Sequence, residues 1–128
     1  MKRVLMMDDS PIFLEVVRNA LEQAGYAVVC ANDLAELEQL REQGRSDLVL
    51  MDVQMPEAFG DDIALTLRNV YGIDAPIYLL SSLDDHDLAD RVKWAQIEGF
   101  ISKNSGLENV VNEVRRIIGP ANAEHGSK

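Results

Sequence analysis

Five times along this chain a short apolar segment is followed by a longer one whose apolar residues recur every three or four positions, and that alternation constrains the fold more than any other feature. Val4-Leu5-Met6-Met7, Leu48-Val49-Leu50-Met51 and Ile77-Tyr78-Leu79-Leu80 are runs without a charged residue. A strand covered on both faces reads this way, whereas a strand with one wet face alternates apolar with polar. Tyr26 to Ala31 and Gly99-Phe100-Ile101-Ser102 supply the second and fifth strands. The intervening segments carry helical spacing: Phe13, Val17, Leu21; then Leu34, Leu37, Leu40; then Ile63, Leu67, Val70, Tyr71; then Leu88, Val92, Ala95; and last Leu107, Val110, Val114, Ile117. Such repeats predict an α/β fold, doubly wound, with a five-stranded parallel sheet and helices on both faces, because right-handed crossovers place them there.

Punctuation agrees with the periodicity. Ser10 suits an N-cap with Pro11 in the first helical position, and Gly25 ends that helix. Asp33 with Glu36 three residues on forms an approximate capping box. Gly44 stops the second helix, a loop holds Pro56 and Gly60, and Pro76 introduces the fourth strand. Gly119-Pro120 halts the fifth helix. At 128 residues the chain fits one domain, expected over 1–119, with a loose polar tail over 120–128.

Composition excludes several functions. A net charge of −10 opposes direct nucleic-acid binding, which needs a basic face. The one cysteine, Cys30, forms no internal disulfide and fits a reducing compartment. MKRVLMMDDS has too short an apolar run for a signal peptide or a membrane span. A cytoplasmic location with no membrane partner is expected. His86 and His125 lack metal-ligand spacing, and Cys30 reads as a buried strand residue.

The chemistry lies at the strand ends, where the chain leaves Asp8, Asp9, Asp52, Ser81 and Lys103. In open parallel sheets ligands bind beyond the carboxyl ends of the strands, where strand order reverses. With the flavodoxin-like order 2-1-3-4-5, strands one and three are neighbours at about 4.8 Å. Asp8, Asp9 and Asp52 then share a pocket, and Ser81 and Lys103 arrive from the next two strands. Clustered carboxylates repel, so they protonate or recruit a cation, and oxygen donors suit a hard ion, magnesium or manganese. Each aspartate alone could be a helix cap, but caps require neither a lysine nor a hydroxyl opposite them.

The acidic pair in Met7-Asp8-Asp9-Ser10, the run Leu48 to Pro56, Gly60, the run Pro76 to Ser82, and Gly99 to Lys103 follow in order, each by a strand end. In this the chain resembles the receiver domains of two-component response regulators over nearly its whole length. The resemblance implies that Asp52 is the nucleophile that becomes an aspartyl phosphate. Asp8 and Asp9 would hold magnesium, with the Gln54 backbone carbonyl completing the protein's share of the shell. Lys103 would pair with the acceptor carboxylate and then with phosphoryl oxygens, and Ser81 would donate its hydroxyl. A sensor histidine kinase or histidine phosphotransfer protein would supply the phosphoryl group. Output to a downstream protein target would pass through helix four, strand five and helix five. Ser81 and Phe100 would form the switch. The domain would catalyse only its own phosphorylation and dephosphorylation. Trp94 falls outside the inward stripe of helix four, which suits a partner anchor.

Departures from the family pattern are specific. Asn104 replaces the usual proline after the lysine, so the Lys103–Asn104 peptide is expected to be trans. Gln96-Ile97 replaces a small Gly-Ala pair, and Ser82 stands where alanine is common. Gln54 and Leu83 occupy the two positions that tune dephosphorylation, and an apolar Leu83 cannot orient an attacking water. Rival readings are an electron carrier on the same sheet, an aspartyl phosphatase, and a phosphorylation-independent pseudo-receiver. Asp8-Asp9-Ser10-Pro11 lacks the phosphate loop of the first, and Gln54 stands where the second places another aspartate. The resemblance is to a single-domain regulator of the chemotaxis type, and the alternative is a domain cut from a longer DNA-binding or enzymatic regulator.

Overall fold

Each apolar run lies in a parallel sheet whose two faces are both covered. The computed structural model describes residues 1–8, 10–53, 60–69 and 74–121. Five strands, β1 (Arg3–Met7), β2 (Ala27–Ala31), β3 (Leu48–Met51), β4 (Ile77–Ser81) and β5 (Gly99–Ser102), alternate with five helices. These are α1 (Pro11–Gln23), α2 (Leu34–Gln43), α3 (Gly60–Asn69), α4 (Asp85–Ala95) and α5 (Leu107–Ile118), with a 3-10 turn over Lys103–Ser105. Strand order is β2-β1-β3-β4-β5. All pairings are parallel, and Met7 lies beside Met51 and Ser81 beside Ser102.

The strand period of two divides the core. Leu5, Met7, Val49, Met51, Ile77 and Leu79 pack toward α2, α3 and α4. Val4, Met6, Leu48, Leu50, Leu80 and Ile101 pack toward α1 and α5. Phe100 is half-buried on the α4 face and Cys30 half-buried on the α1 face. Burial pushes the Cys30 thiol above its ordinary pKa, which makes it a poor nucleophile.

Local chemistry sets the helix ends. The Ser10 hydroxyl accepts the Phe13 N–H at 3.3 Å, and Asp33 accepts the Glu36 N–H at 2.9 Å. Glu36 reaches back to the Asn32 N–H, one residue before the cap. Asp84, unnoticed in the sequence, caps α4 through the Asp87 N–H. Gln96 ends α4 in the left-handed region with φ 57°, a conformation that the usual glycine there adopts without strain. At the rim opposite the strand carboxyl ends, Arg68 forks onto Glu98 at 2.9 and 3.2 Å. Glu98 also accepts the Ile77 N–H at 2.8 Å. Burial alone would raise the Glu98 carboxyl, but the hydrogen bonds from Arg68 and Ile77, with the Arg68 charge, hold it below its ordinary value.

Two expectations need adjustment. β2 begins at Ala27, because the Tyr26 N–H still bonds the Leu21 carbonyl at the end of α1. The tail expected after Gly119 is packed at Ala121, which is 5% exposed and accepts the Lys2 N–H at 3.0 Å. Tyr26 reinforces this by donating its hydroxyl to the Gly119 carbonyl at 2.6 Å. Lys103 opens a 3-10 turn that runs to Ser105. Val70, Tyr71, His125 and residues 122–128 lie outside the described residues, whereas His86 is exposed.

Candidate functional site

Asp8 and Asp52 stand side by side because β1 and β3 are adjacent and in register. The Asp52 N–H donates to the Met7 carbonyl at 2.9 Å, one step beyond the Met7–Met51 pair. Ser81 ends β4, and Lys103 follows β5 directly. Asp8, Asp52 and Ser81 are 1%, 6% and 0% exposed, and they are the buried polar residues of the described chain. Burial of two carboxylates without a counter-charge would be costly, and Lys103 supplies one. Its ammonium lies 2.7 Å from Asp8 Oδ2 and 3.6 Å from Asp52 Oδ2. Lys103 therefore pairs with Asp52, as the resemblance implied, and makes a shorter contact with Asp8.

Asp8 Oδ1 accepts the Ser10 N–H at 2.9 Å, which ties the carboxylate to the cap of α1. The Ser81 hydroxyl oxygen accepts the Leu83 N–H at 3.3 Å, leaving its proton for another acceptor. Leu83 itself is half-buried against the α4-side core. None of the described peptide bonds is cis, so Lys103–Asn104 is trans as expected. Asn104 spends its side chain on the Ser82 carbonyl at 3.3 Å, joining the turn after β5 to the loop after β4. Proline has no donor for that bond. Asp9 and Gln54 lie outside the described residues.

Two contacts escaped the sequence reading. The Phe13 ring lies under the Lys103 ammonium at 4.1 Å, and the Asn104–Ser82 bond crosses between loops. Phe13 had a faint signal, since it falls in the first turn of the helix that leaves the aspartate rim. Trp94 is 55% exposed on α4, and Phe100 sits on the neighbouring strand.

Donor chemistry fits a hard cation. Asp8 and Asp52 offer carboxylate oxygens, and each oxygen carries more than one lone pair, so the bonds Asp8 already accepts leave capacity. Two carboxylates face one ammonium here, and Asp9 adds a third negative charge nearby in the chain. Among the described residues alone no group of three His, Cys, Asp or Glu side chains gathers for a metal. The set expected from the sequence therefore depends on Asp9 as well.

A doubly wound parallel sheet of this order, with acidic residues, a serine and a lysine on its carboxyl rim, defines the class of flavodoxin-like signalling domains. The chain belongs to the response regulator receiver domain family, whose pattern matches residues 4–115. It is thus a receiver domain of two-component regulators, a family of signalling modules. Response regulator MprA of Mycobacterium leprae is 30% identical over 118 residues, 91% of this chain and 50% of that protein. The polar-differentiation response regulator DivK of Brucella anthropi is 23% identical, covering 94% of this chain and 98% of DivK. Thus the chain spans about half the length of the MprA relatives it matches. Chemotaxis protein CheY4 of Vibrio cholerae superimposes with a TM-score of 0.82 at 26% identity, over 91% of this chain and 98% of CheY4. TrrA of Thermotoga maritima, solved with magnesium and BeF, gives 0.78 at 29%, over 91% of this chain and 99% of TrrA. No helix among the described residues is long and apolar enough to cross a membrane.

Proposed function

We propose that this receiver accepts a phosphoryl group on Asp52 from a sensor histidine kinase or a histidine phosphotransfer protein, in the cytoplasm. The observation that carries the reading is the Lys103 ammonium, 2.7 Å from Asp8 and 3.6 Å from Asp52, with both aspartates buried on the carboxyl rim. In the transfer, an Asp52 carboxylate oxygen bonds to phosphorus as the bond from phosphorus to the donor nitrogen breaks. The electron pair leaves with the donor imidazole. Charge then sits on the equatorial phosphoryl oxygens, and its neutralisation is the main catalytic requirement. Lys103 turns from Asp8 toward those oxygens, and Ser81 donates its hydroxyl proton to one of them. A magnesium ion, or manganese, would be held by Asp8, Asp9, Asp52 and the Gln54 carbonyl, and would supply further neutralisation.

The readout follows from added charge. A phosphoryl group brings close to two negative charges and strong acceptors. Ser81 moving toward it draws the loop at Ser82 and Leu83, and the half-buried Phe100 ring settles into the space released. That shifts a two-state equilibrium at the surface of α4, β5 and α5, where Trp94 anchors a downstream protein target. Leu83 shields the phosphoryl group from water and lengthens its lifetime.

Incubation with acetyl phosphate and magnesium, followed by intact mass, tests the reading. The wild-type protein gains one phosphoryl group and Asp52→Ala gains none. Equal uptake by both would remove Asp52 from the role.

A further inference from the structure

Among the described residues, Lys103 meets two carboxylates and one aromatic ring at the rim. Its ammonium nitrogen lies 4.1 Å from the centroid of the Phe13 ring, with Asp8 at 2.7 Å and Asp52 at 3.6 Å. Phe13 is half-buried and packs against the core beneath α1 and α5. Its placement is tied to the same carboxylate that Lys103 holds. Asp8 Oδ1 accepts the Ser10 N–H at 2.9 Å, the Ser10 hydroxyl accepts the Phe13 N–H at 3.3 Å, and the ring returns to Lys103, which bonds Asp8 Oδ2. The four residues close a ring of contacts that fixes the aromatic face relative to Asp8 and the Lys103 ammonium.

An aromatic face attracts a cation within about 6 Å through its quadrupole, more strongly where water is excluded. The Lys103 side chain is 17% exposed, so little water competes. A hydrogen-bond acceptor in place of the ring would hold the ammonium along one direction. The face has no such preference, so the ammonium can turn about it while staying attracted. We infer that Phe13 is a positioning residue: its ring backs the Lys103 ammonium and keeps it over the rim as it turns from Asp8 to the charge that develops beside Asp52. The lysine stem is long and flexible, and without that backing it spreads into solvent. This inference rests on the reading of Asp52 as acceptor.

The test pairs a spectroscopic signature with a variant series. In wild-type protein without phosphodonor, the ε-methylene protons of Lys103 resonate upfield of other lysines through the ring current, with Lys103→Met identifying the signals. Phe13→Leu keeps an apolar side chain but abolishes that displacement, and Phe13→Tyr retains it. With acetyl phosphate and magnesium, Phe13→Leu lowers the initial phosphorylation rate by about three- to tenfold, and Phe13→Tyr recovers most of it. Absence of the upfield shift in wild type overturns the inference, even if Phe13→Leu fails to fold. So does a Tyr variant as slow as the Leu variant, or equal rates in all three. Wild-type protein that takes up no phosphoryl group defeats the function proposed for Asp52 and this role with it. Normal uptake with no dependence on residue 13 removes the ring alone.

Discussion

Replacing Lys103 with methionine keeps an unbranched side chain of similar reach and deletes its charge. The ammonium now lies 2.7 Å from one buried carboxylate oxygen and 3.6 Å from another. At an effective dielectric of about 20, unit charges attract by about 6 kcal/mol at the first separation and about 5 at the second. Desolvation cancels most of this, and removing one partner of a buried pair costs about 3–5 kcal/mol net. Because Lys103 keeps some exposure, the lower end applies, about 3 kcal/mol at neutral pH without divalent cations. For a domain of this size the thermal midpoint falls by about 10 °C. Urea unfolding in the presence of a chelator measures the loss, and Asp8→Asn with the double variant completes a thermodynamic cycle. Residues in direct contact couple by about 0.5–3 kcal/mol, and the upper half of that range is expected here. A Lys103→Met protein within about 0.5 kcal/mol of wild type, with no coupling to Asp8, would refute the counter-charge argument.

Other consequences are more local. Gln96→Gly relieves the left-handed cap of α4 and stabilises the domain by about 0.5–1 kcal/mol in urea, after the larger entropy of the unfolded glycine is subtracted. Because the Glu98 pKa is lowered in the folded state, its ion form contributes stability above the ordinary glutamate range and loses it as pH falls through the folded value. The gap between wild type and Glu98→Gln is therefore widest near neutrality and closes in acid; a gap that widened on acidification would contradict the Arg68 pairing. Leu83→Asn admits a water-orienting group beside Ser81 and shortens the phosphoryl lifetime, read from decay of the phosphorylated mass; unchanged decay would rule out shielding. Trp94→Ala weakens binding of a downstream partner without altering phosphorylation, and equal loss of both would discount the exposed ring as an anchor.

The strand runs were legible because a strand covered on both faces must be apolar throughout. The caps at Ser10 and Asp33 were legible because short polar side chains answer the unpaired N–H groups of a helix start. From these followed the parallel sheet, and with the flavodoxin-like strand order taken for it, the placing of Asp8, Asp52, Ser81 and Lys103 on one rim. What period and capping cannot carry is distance between atoms whose residues lie far apart in the chain. Lys103 and Asp8 are separated by 95 positions, and the preference of the ammonium for Asp8 over Asp52 depends on where the turn after β5 releases it. The Phe13 face, the Asn104 bond to Ser82 and the packing of Ala121 share that origin. Sequence by itself determined which strands are covered on both faces and which strand end each polar group leaves. Only the tertiary structure decided which of those groups touch, since contacts at a rim are set by the relative placement of whole strands and helices rather than by any local pattern.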